Sequence, residues 1–585
     1  MLKRGMEMTA AMKTTSPILN DALRAARRVA VEAAVFSLFV NLLMLTGPLY
    51  MLQIYGRVIT SHSYETLAVL TLLVIILFAA MAALDYARNA LLARAAGAFE
   101  ETMKQATFDM TMEASRIGLS TVEQPLRDLR QIRQFLASPA LVAVFDAPWA
   151  PIFLAVVFMM HWLLGLVALA GLVTLAVLVF VNEGMSRKAN SSAMTLSSEA
   201  DRQAAAALRN ASAADAMGMR ARLRQRWIDL SNEANTNLLS ATDTIGGLSA
   251  ASKALRLFLQ SAILGTGAYL AIRSEVTPGV MIAASIIAGR ALAPIEIVTS
   301  QWKNFALSAA AYQRLKTFVE AFPPLTERTE LPAPQGELAL EKVYCQPPGI
   351  KQPILKNISF GIAKGEALGL VGPSAAGKST LARAIVGVEH CISGVVRLDG
   401  ANLAHWDRDA LGRHIGYLPQ EVELFAGTAA QNIARFDDKA AAADIIAAAE
   451  EAGAHQMILS LPEGYDTDIG DRGARLSAGQ RQRLGLARAL FGDPALVVLD
   501  EPNANLDSEG EAALGEAMQK VKARGATIII IAHRPSAIAF VDKLLFVVNG
   551  EVRAFGPRDE VLRQIAPKQV SVLRRVGGEE GAANG

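Results

Sequence analysis

Apolar and polar positions divide the chain into two halves of different periodicity. Up to Val298 the apolar residues gather in long unbroken runs, separated by stretches that are polar and read as helical. Six runs suit a membrane-crossing helix, which needs roughly 20 such residues. They are Ala33–Gln53, Thr66–Leu84, Leu141–Met160, Trp162–Val181, one within Leu255–Ile272 and one within Val276–Val298. Gly47-Pro48 predicts a kink in the first of them. The connections at Ile54–Glu65, His161 and Arg273–Glu275 are short, whereas Tyr86–Ser138 and Asn182–Ala241 are long and rich in arginine. Lys3, Arg4, Lys13, Arg24, Arg27 and Arg28 outnumber Glu7 and Asp21 at the start, which puts that end in the cytoplasm. Six spans return the chain to the same side, so both long excursions face the cytoplasm.

Four polar groups lie in or beside these runs: Asn41, Asp146, Arg290 and Glu296. Ionisable groups in a membrane are costly and face an interior or a cavity. Asn41 and Glu296 read as helix-end or interhelical groups, while Arg290 suits that role or a polar path equally. Asp146-Ala-Pro-Trp-Ala-Pro151 opens the third run, and its two prolines predict a bend. Phe322-Pro-Pro324 ends the last helix of this half, and residues 323–336 read as a linker.

From Glu337 onward short β-rich runs alternate with helices, the pattern of an α/β domain. Ala367–Val371 reads as a buried strand and Thr380–Gly387 as a helix. Between them lies Gly372-Pro373-Ser374-Ala375-Ala376-Gly377-Lys378-Ser379-Thr380, which fits the phosphate loop G-x-x-x-x-G-K-[ST]. Glycines let the backbone close on an anion, and successive N–H groups with the helix N-terminus attract it. Lys378 suits the β- and γ-phosphates and Ser379 suits Mg²⁺. A second apolar strand, Leu496–Leu499, ends in Asp500-Glu501, and a third, Thr527–Ala532, ends in His533. An acidic pair at a strand's carboxyl end suits a metal ligand followed by a water-polarising base. Leu476-Ser477-Ala478-Gly479-Gln480 opens an arginine-rich helix and forms a second anion-binding turn. Two such turns in one domain point to a nucleotide shared with a second copy.

Composition alters this picture in three respects. Of 585 residues, 52% are apolar and only 19% charged, and the mean hydropathy is +0.29, so part of the chain belongs in lipid. A net charge of +2 gives no electrostatic reason to expect a nucleic-acid partner. The only cysteines, Cys345 and Cys391, make no disulfide framework or zinc site and read as small buried hydrophobes.

Together these motifs resemble an ATP-binding-cassette exporter half-transporter, over nearly the whole chain after its first thirty residues. Asp146–Pro151, Ala288–Pro294 and the Asn210…Gly218-Met219 stretch are similar to the type I secretion permease/ATPase family, in the branch that exports RTX-type proteases. The resemblance implies a six-span helical transmembrane domain (31–322) fused to an α/β P-loop ATP-binding-cassette domain (337–575). Residues 1–30 would be a cytoplasmic segment and 576–585 a disordered tail. It implies ATP and Mg²⁺ as cofactors, with the loop Gly372–Thr380 on the phosphates and Ser379, Gln420 and Asp500 toward the metal. Glu501, His533 and Gln420 would serve hydrolysis. Ser477, Gly479, Gln480 and Asp507 would meet the nucleotide across a homodimer. Two departures stand out: Ala478 replaces the usual signature glycine, and Pro347 stands where an adenine-stacking tyrosine is expected, so that Tyr344 is the substitute.

The expected setting is the bacterial inner membrane, with a periplasmic adaptor, an outer-membrane channel, surrounding lipid and an unfolded polypeptide as cargo. A lipid or drug exporter, or a regulatory membrane ATPase, is the alternative. The lack of a cysteine before Cys345 argues against a leader-clipping protease domain. Segments near 118–125 and 210–219 are expected to dock close to Gln420.

Overall fold

A computed structural model describes residues 17–116, 124–322, 331–347, 350, 352–389, 391–506, 508–532 and 538–565. The described residues fall into two units, 17–111 with 124–322, and 112–116 with 331–565.

The first unit is all helix. In chain order it runs α1 (Pro17–Leu43), α2 (Thr46–Gln53), α3 (Tyr64–Arg116), α4 (Gln124–Leu136), α5 (Pro139–Asp146), α6 (Ala150–Met160), α7 (Trp162–Arg209), α8 (Ala211–Ala216), α9 (Arg220–Ile272), α10 (Pro278–Ser300) and α11 (Trp302–Ala321). Among the described residues five helical stretches are long and apolar enough to cross a membrane, and Trp162–Leu178 is a shorter sixth. These coincide with the six apolar runs. The arginine-rich excursions are not separate domains. They are built mostly from extensions of α3, α7 and α9, which reach 53, 48 and 53 residues, with the short helices α4 and α8 beside them. At 1.5 Å per residue such helices extend about 70–80 Å, more than twice a bilayer's hydrocarbon thickness.

The expected kink falls slightly early, at Met44–Leu45, because Pro48 occupies the first turn of α2, where a missing N–H is harmless. Asp146–Pro151 bends as expected, with a 3₁₀ turn at Ala147–Trp149 joining α5 to α6. Leu164, Ala168, Ile263, Leu270, Ala284 and Ile287 belong to one of the buried clusters that hold this unit together. Small residues let the helices close on it: a Cβ on Gly171 would lie 2.4 Å from Leu259 Cδ1. Val69, Leu72, Ile75 and Ile76 of α3 are more than half exposed, which suits a lipid-facing surface.

Charge inside this unit is paired. Arg88 is 3% exposed and donates to Ser37 Oγ at 2.8 Å, Asp146 Oδ1 at 3.0 Å and Asp85 Oδ1 at 2.5 Å. Asn41 donates to the same Asp146 oxygen at 2.8 Å. The network ties α1, α3 and α5 together. Glu296 pairs with Arg256 at 2.9 Å, so both it and Asn41 are interhelical groups, while Arg290 is exposed.

The second unit has two sheets. Strands β1 (Leu338–Cys345), β2 (Leu355–Ile362), β4 (Cys391–Leu398) and β5 (Ala401–Asn402) form an antiparallel sheet in the order β2-β1-β4-β5. The other holds β3 (Ala367–Val371), β6 (Ile415–Leu418), β7 (Leu496–Asp500), β8 (Thr527–Ile531), β9 (Lys543–Val548) and β10 (Glu551–Pro557), in the order β10-β9-β3-β8-β7-β6. Strands β3, β6, β7, β8 and β9 run parallel, and β7 and β8 are buried along their whole length. Burial on both faces explains their continuous valine, isoleucine and leucine runs. The reading of Cys345 and Cys391 as separate small hydrophobes is corrected here. They face each other across the β1–β4 ladder and are joined as a disulfide.

Candidate functional site

The carboxyl ends of β3 and β7 carry the residues singled out for nucleotide chemistry. After β3 the chain turns through 372–377 into α12 (Lys378–Ile385), with Gly377 at φ +96° as its N-cap. Two of these glycines are required. A Cβ on Gly372 would lie 2.2 Å from the Val547 carbonyl oxygen, and Gly377 holds a left-handed conformation with Ile354 and Leu355 packed against it. Lys378 is only 6% exposed and folds back over the loop, donating to the Gly372 and Pro373 carbonyls at 2.9 Å each. Burial pushes its ammonium below the usual lysine range, opposed by the charges of Glu501 and Asp500. The helix start therefore holds a partly desolvated cation beside the N-terminal N–H groups of α12, an arrangement suited to phosphate.

Asp500 ends β7 two strands away, with β8 between. It is 2% exposed and accepts a hydrogen bond from Ser379. Burial pushes its carboxyl above the usual range and Glu501 adds to this, while Ser379, Arg383 and Lys378 pull the other way. Its Oδ1 is buried without a hydrogen-bond partner. Tyr417 on β6 is pushed up to about 12 by burial and by Asp500, so it stays a neutral phenol. Glu501 follows at φ +51°, a left-handed backbone that costs energy in a residue with a Cβ, and its N–H donates to Ile531 O at 3.1 Å. That turn aims the second carboxylate differently from the first.

The second glycine turn opens α13 (Ala478–Leu490). Ser477 caps it: its hydroxyl accepts from Gln480 N at 3.2 Å, and Gln480 Oε1 accepts from Ser477 N at 2.8 Å. Gly479 is tightly placed, since a Cβ there would lie 3.0 Å from Asn505 O. Ala478 by contrast is exposed, so its methyl clashes with nothing and the departure from glycine is sterically harmless in this chain. Gln420 sits exposed in the turn after β6. Asp507, His533 and residues 117–123 lie outside the described residues.

Two contributors were not singled out from the sequence. Gln482, 2% exposed, donates to Pro502 O at 3.0 Å and so fixes the backbone just after Glu501 to α13. Arg383 reaches Glu389 at 2.9 Å and Thr380 Oγ1 at 3.4 Å, beneath the phosphate loop. Nothing in the chain distinguishes either from an ordinary polar helix residue: Gln482 meets a backbone carbonyl 20 residues on, and Arg383 pairs with near neighbours as any helix arginine can.

The orphaned Asp500 oxygen next to the Ser379 hydroxyl fits a hard cation with oxygen ligands. No group of three or more His, Cys, Asp or Glu occurs among the described residues, so phosphate oxygens would have to complete the shell.

The ABC transporter family profile matches residues 355–504 and the ABC transporter transmembrane region profile matches residues 31–289. The chain is 44% identical over 558 residues to the type I secretion system ATP-binding protein PrsD of Rhizobium meliloti, covering 94% of this chain and 95% of that one. It is 30% identical to the cyclolysin secretion/processing ATP-binding protein CyaB of Bordetella pertussis, covering 92% and 76%. A bacterial Atm1-family ABC exporter solved with ATP bound shares the fold, with a TM-score of 0.77 at 22% identity, over 95% of this chain and 99% of that one. The phosphate loop, the acidic strand end and the helical unit thus have one explanation: the chain belongs to the ATP-binding-cassette transporters, in the type I secretion permease/ATPase family, and couples ATP hydrolysis to transport.

Proposed function

We propose that this protein is the energising component of a type I secretion system, moving an unfolded polypeptide across the inner membrane without cleavage. The observation that carries this reading is the 44% identity to a type I secretion ATP-binding protein along nearly the full length of both chains. The protein works as a homodimer with a periplasmic adaptor and an outer-membrane channel. The short connection between α6 and α7 supports this, because it leaves little on that face to carry the cargo further.

The loop 372–380 binds the phosphates, and Lys378 neutralises charge on the β- and γ-groups. Ser379 and Asp500 would hold Mg²⁺, with Gln420 the third candidate ligand; when bound, the ion would screen phosphate charge. Glu501 polarises the attacking water and His533 senses the γ-phosphate. Ser477 and Gly479 of one copy close on the nucleotide held by the other, with Asp507 at the seam. Deleting the gene tests the cargo. A secreted protein should remain inside the cell at full length, with lipid distribution unchanged. An intact secreted proteome alongside an accumulating lipid or drug would instead favour a small-molecule exporter. Affinity purification from native membranes should bring down an adaptor and a channel.

A further inference from the structure

The chain's only two cysteines meet across a strand ladder in the unit that binds ATP. Cys345 closes β1 and is fully buried, whereas Cys391 opens β4 and is partly exposed. Their sequence separation is 46 residues, and the intervening chain contains the whole phosphate loop. The strand end that the bridge pins is linked to that loop through contacts of the start of β2. Cys345 O accepts from Ile354 N at 2.9 Å, and Ile354 and Leu355 pack on Gly377. Lys356 N donates to Gly550 O at 2.8 Å, and Gly550 N donates to Ala376 O at 3.1 Å. One short chain of contacts therefore joins the disulfide to two residues of the loop.

We propose that Cys345–Cys391 is a reversible redox switch on nucleotide binding. The inference rests on the expectation that six spans return the chain to the cytoplasmic side, so that this unit lies in the cytoplasm, where disulfides are uncommon and those that form tend to be transient or redox-sensing. The accessible sulfur is that of Cys391. A thiolate of a dithiol reductant attacks it, breaks the S–S bond and expels the Cys345 thiolate, which takes up a proton. The reductant's second thiol then resolves the mixed disulfide, expels Cys391 as a thiol and leaves the reductant oxidised. Two electrons and two protons pass to the protein, and a disulfide oxidant reverses the exchange. In the bridged form Ile354, Leu355 and Lys356 are held against the phosphate loop and its neighbour Gly550, which lowers the ordering cost of binding. In the reduced form that restraint is gone and ATP binds more weakly.

Because no other cysteine exists, a thiol-linked response can arise only here. The test uses the full-length protein in lipid nanodiscs, equilibrated with a dithiol or with its oxidised form. Alkylation counts free thiols, and equilibrium binding of ATP is measured without divalent metal. The expected result is two thiols after reduction and none after oxidation, with affinity about three- to tenfold weaker in the reduced protein. Cys391→Ser should bind like the reduced form under both conditions. Free thiols persisting after oxidation, equal affinity in the two states, or a redox shift surviving in Cys345→Ser/Cys391→Ser would each overturn the proposal. Export plays no part in this assay, so its result is independent of whether the cargo is a polypeptide.

Discussion

Asp500 and Glu501 are neighbours with different environments, and that difference separates their expected mutant behaviour. Glu501→Gln keeps the shape at the turn and removes the base, so ATP binding should persist while turnover falls by roughly 10²–10⁴-fold. Single-turnover hydrolysis by the purified variant checks this; a near wild-type rate would remove Glu501 from the role. Asp500 is held above the ordinary carboxylate range by burial. Between the unfolded and folded values the folded protein binds more protons than the unfolded chain, so stability falls as pH rises through that window. Above it the buried carboxylate costs stability until a cation neutralises it. Metal-free Asp500→Asn should therefore melt no lower than wild type at neutral pH, yet lose the extra stabilisation that Mg²⁺ adds to ATP. Thermal scans with and without metal decide it, and a clear drop in the metal-free melting temperature would contradict the account.

Elements were more legible in the sequence than their joints. The phosphate motif, a buried strand ending in Asp500-Glu501 and six apolar runs were enough to foresee a helical membrane unit and an α/β ATPase unit. Residues whose partners lie far along the chain were not legible. Arg88 meets partners 51 and 58 residues away, and Asn41 meets Asp146 across 105. Cys345 and Cys391 meet only because β1 pairs with β4 around the phosphate loop. The lengths of α3, α7 and α9 were hidden for another reason: hydropathy drops at the membrane boundary although the backbone helix continues. At α13 the local reading can be tested directly. Ser477→Ala removes an N-cap hydroxyl and should cost about 0.5–2 kcal/mol by equilibrium unfolding of the ATPase unit. Gln482→Leu leaves the Pro502 carbonyl unsatisfied, a loss of about 1–3 kcal/mol, and should also slow hydrolysis by loosening the backbone after Glu501. Unchanged hydrolysis in a folded Gln482→Leu protein would reduce that contact to a packing role.

At the scale of the whole molecule, the account requires two copies to share each nucleotide. Mixing Lys378→Ala with Ser477→Arg subunits concentrates both lesions in one composite site and leaves the other intact. Such heterodimers should trap nucleotide at the intact site, while neither mutant homodimer does. The central claim is that hydrolysis at Glu501 drives a polypeptide out of the cell. It is tested most directly by pulse-chase export in a deletion strain carrying either wild-type protein or Glu501→Gln at equal abundance. The account predicts that wild type delivers a labelled full-length protein to the medium, while Glu501→Gln retains it inside with lipid distribution unchanged. Export of that protein at the wild-type rate by Glu501→Gln would contradict it.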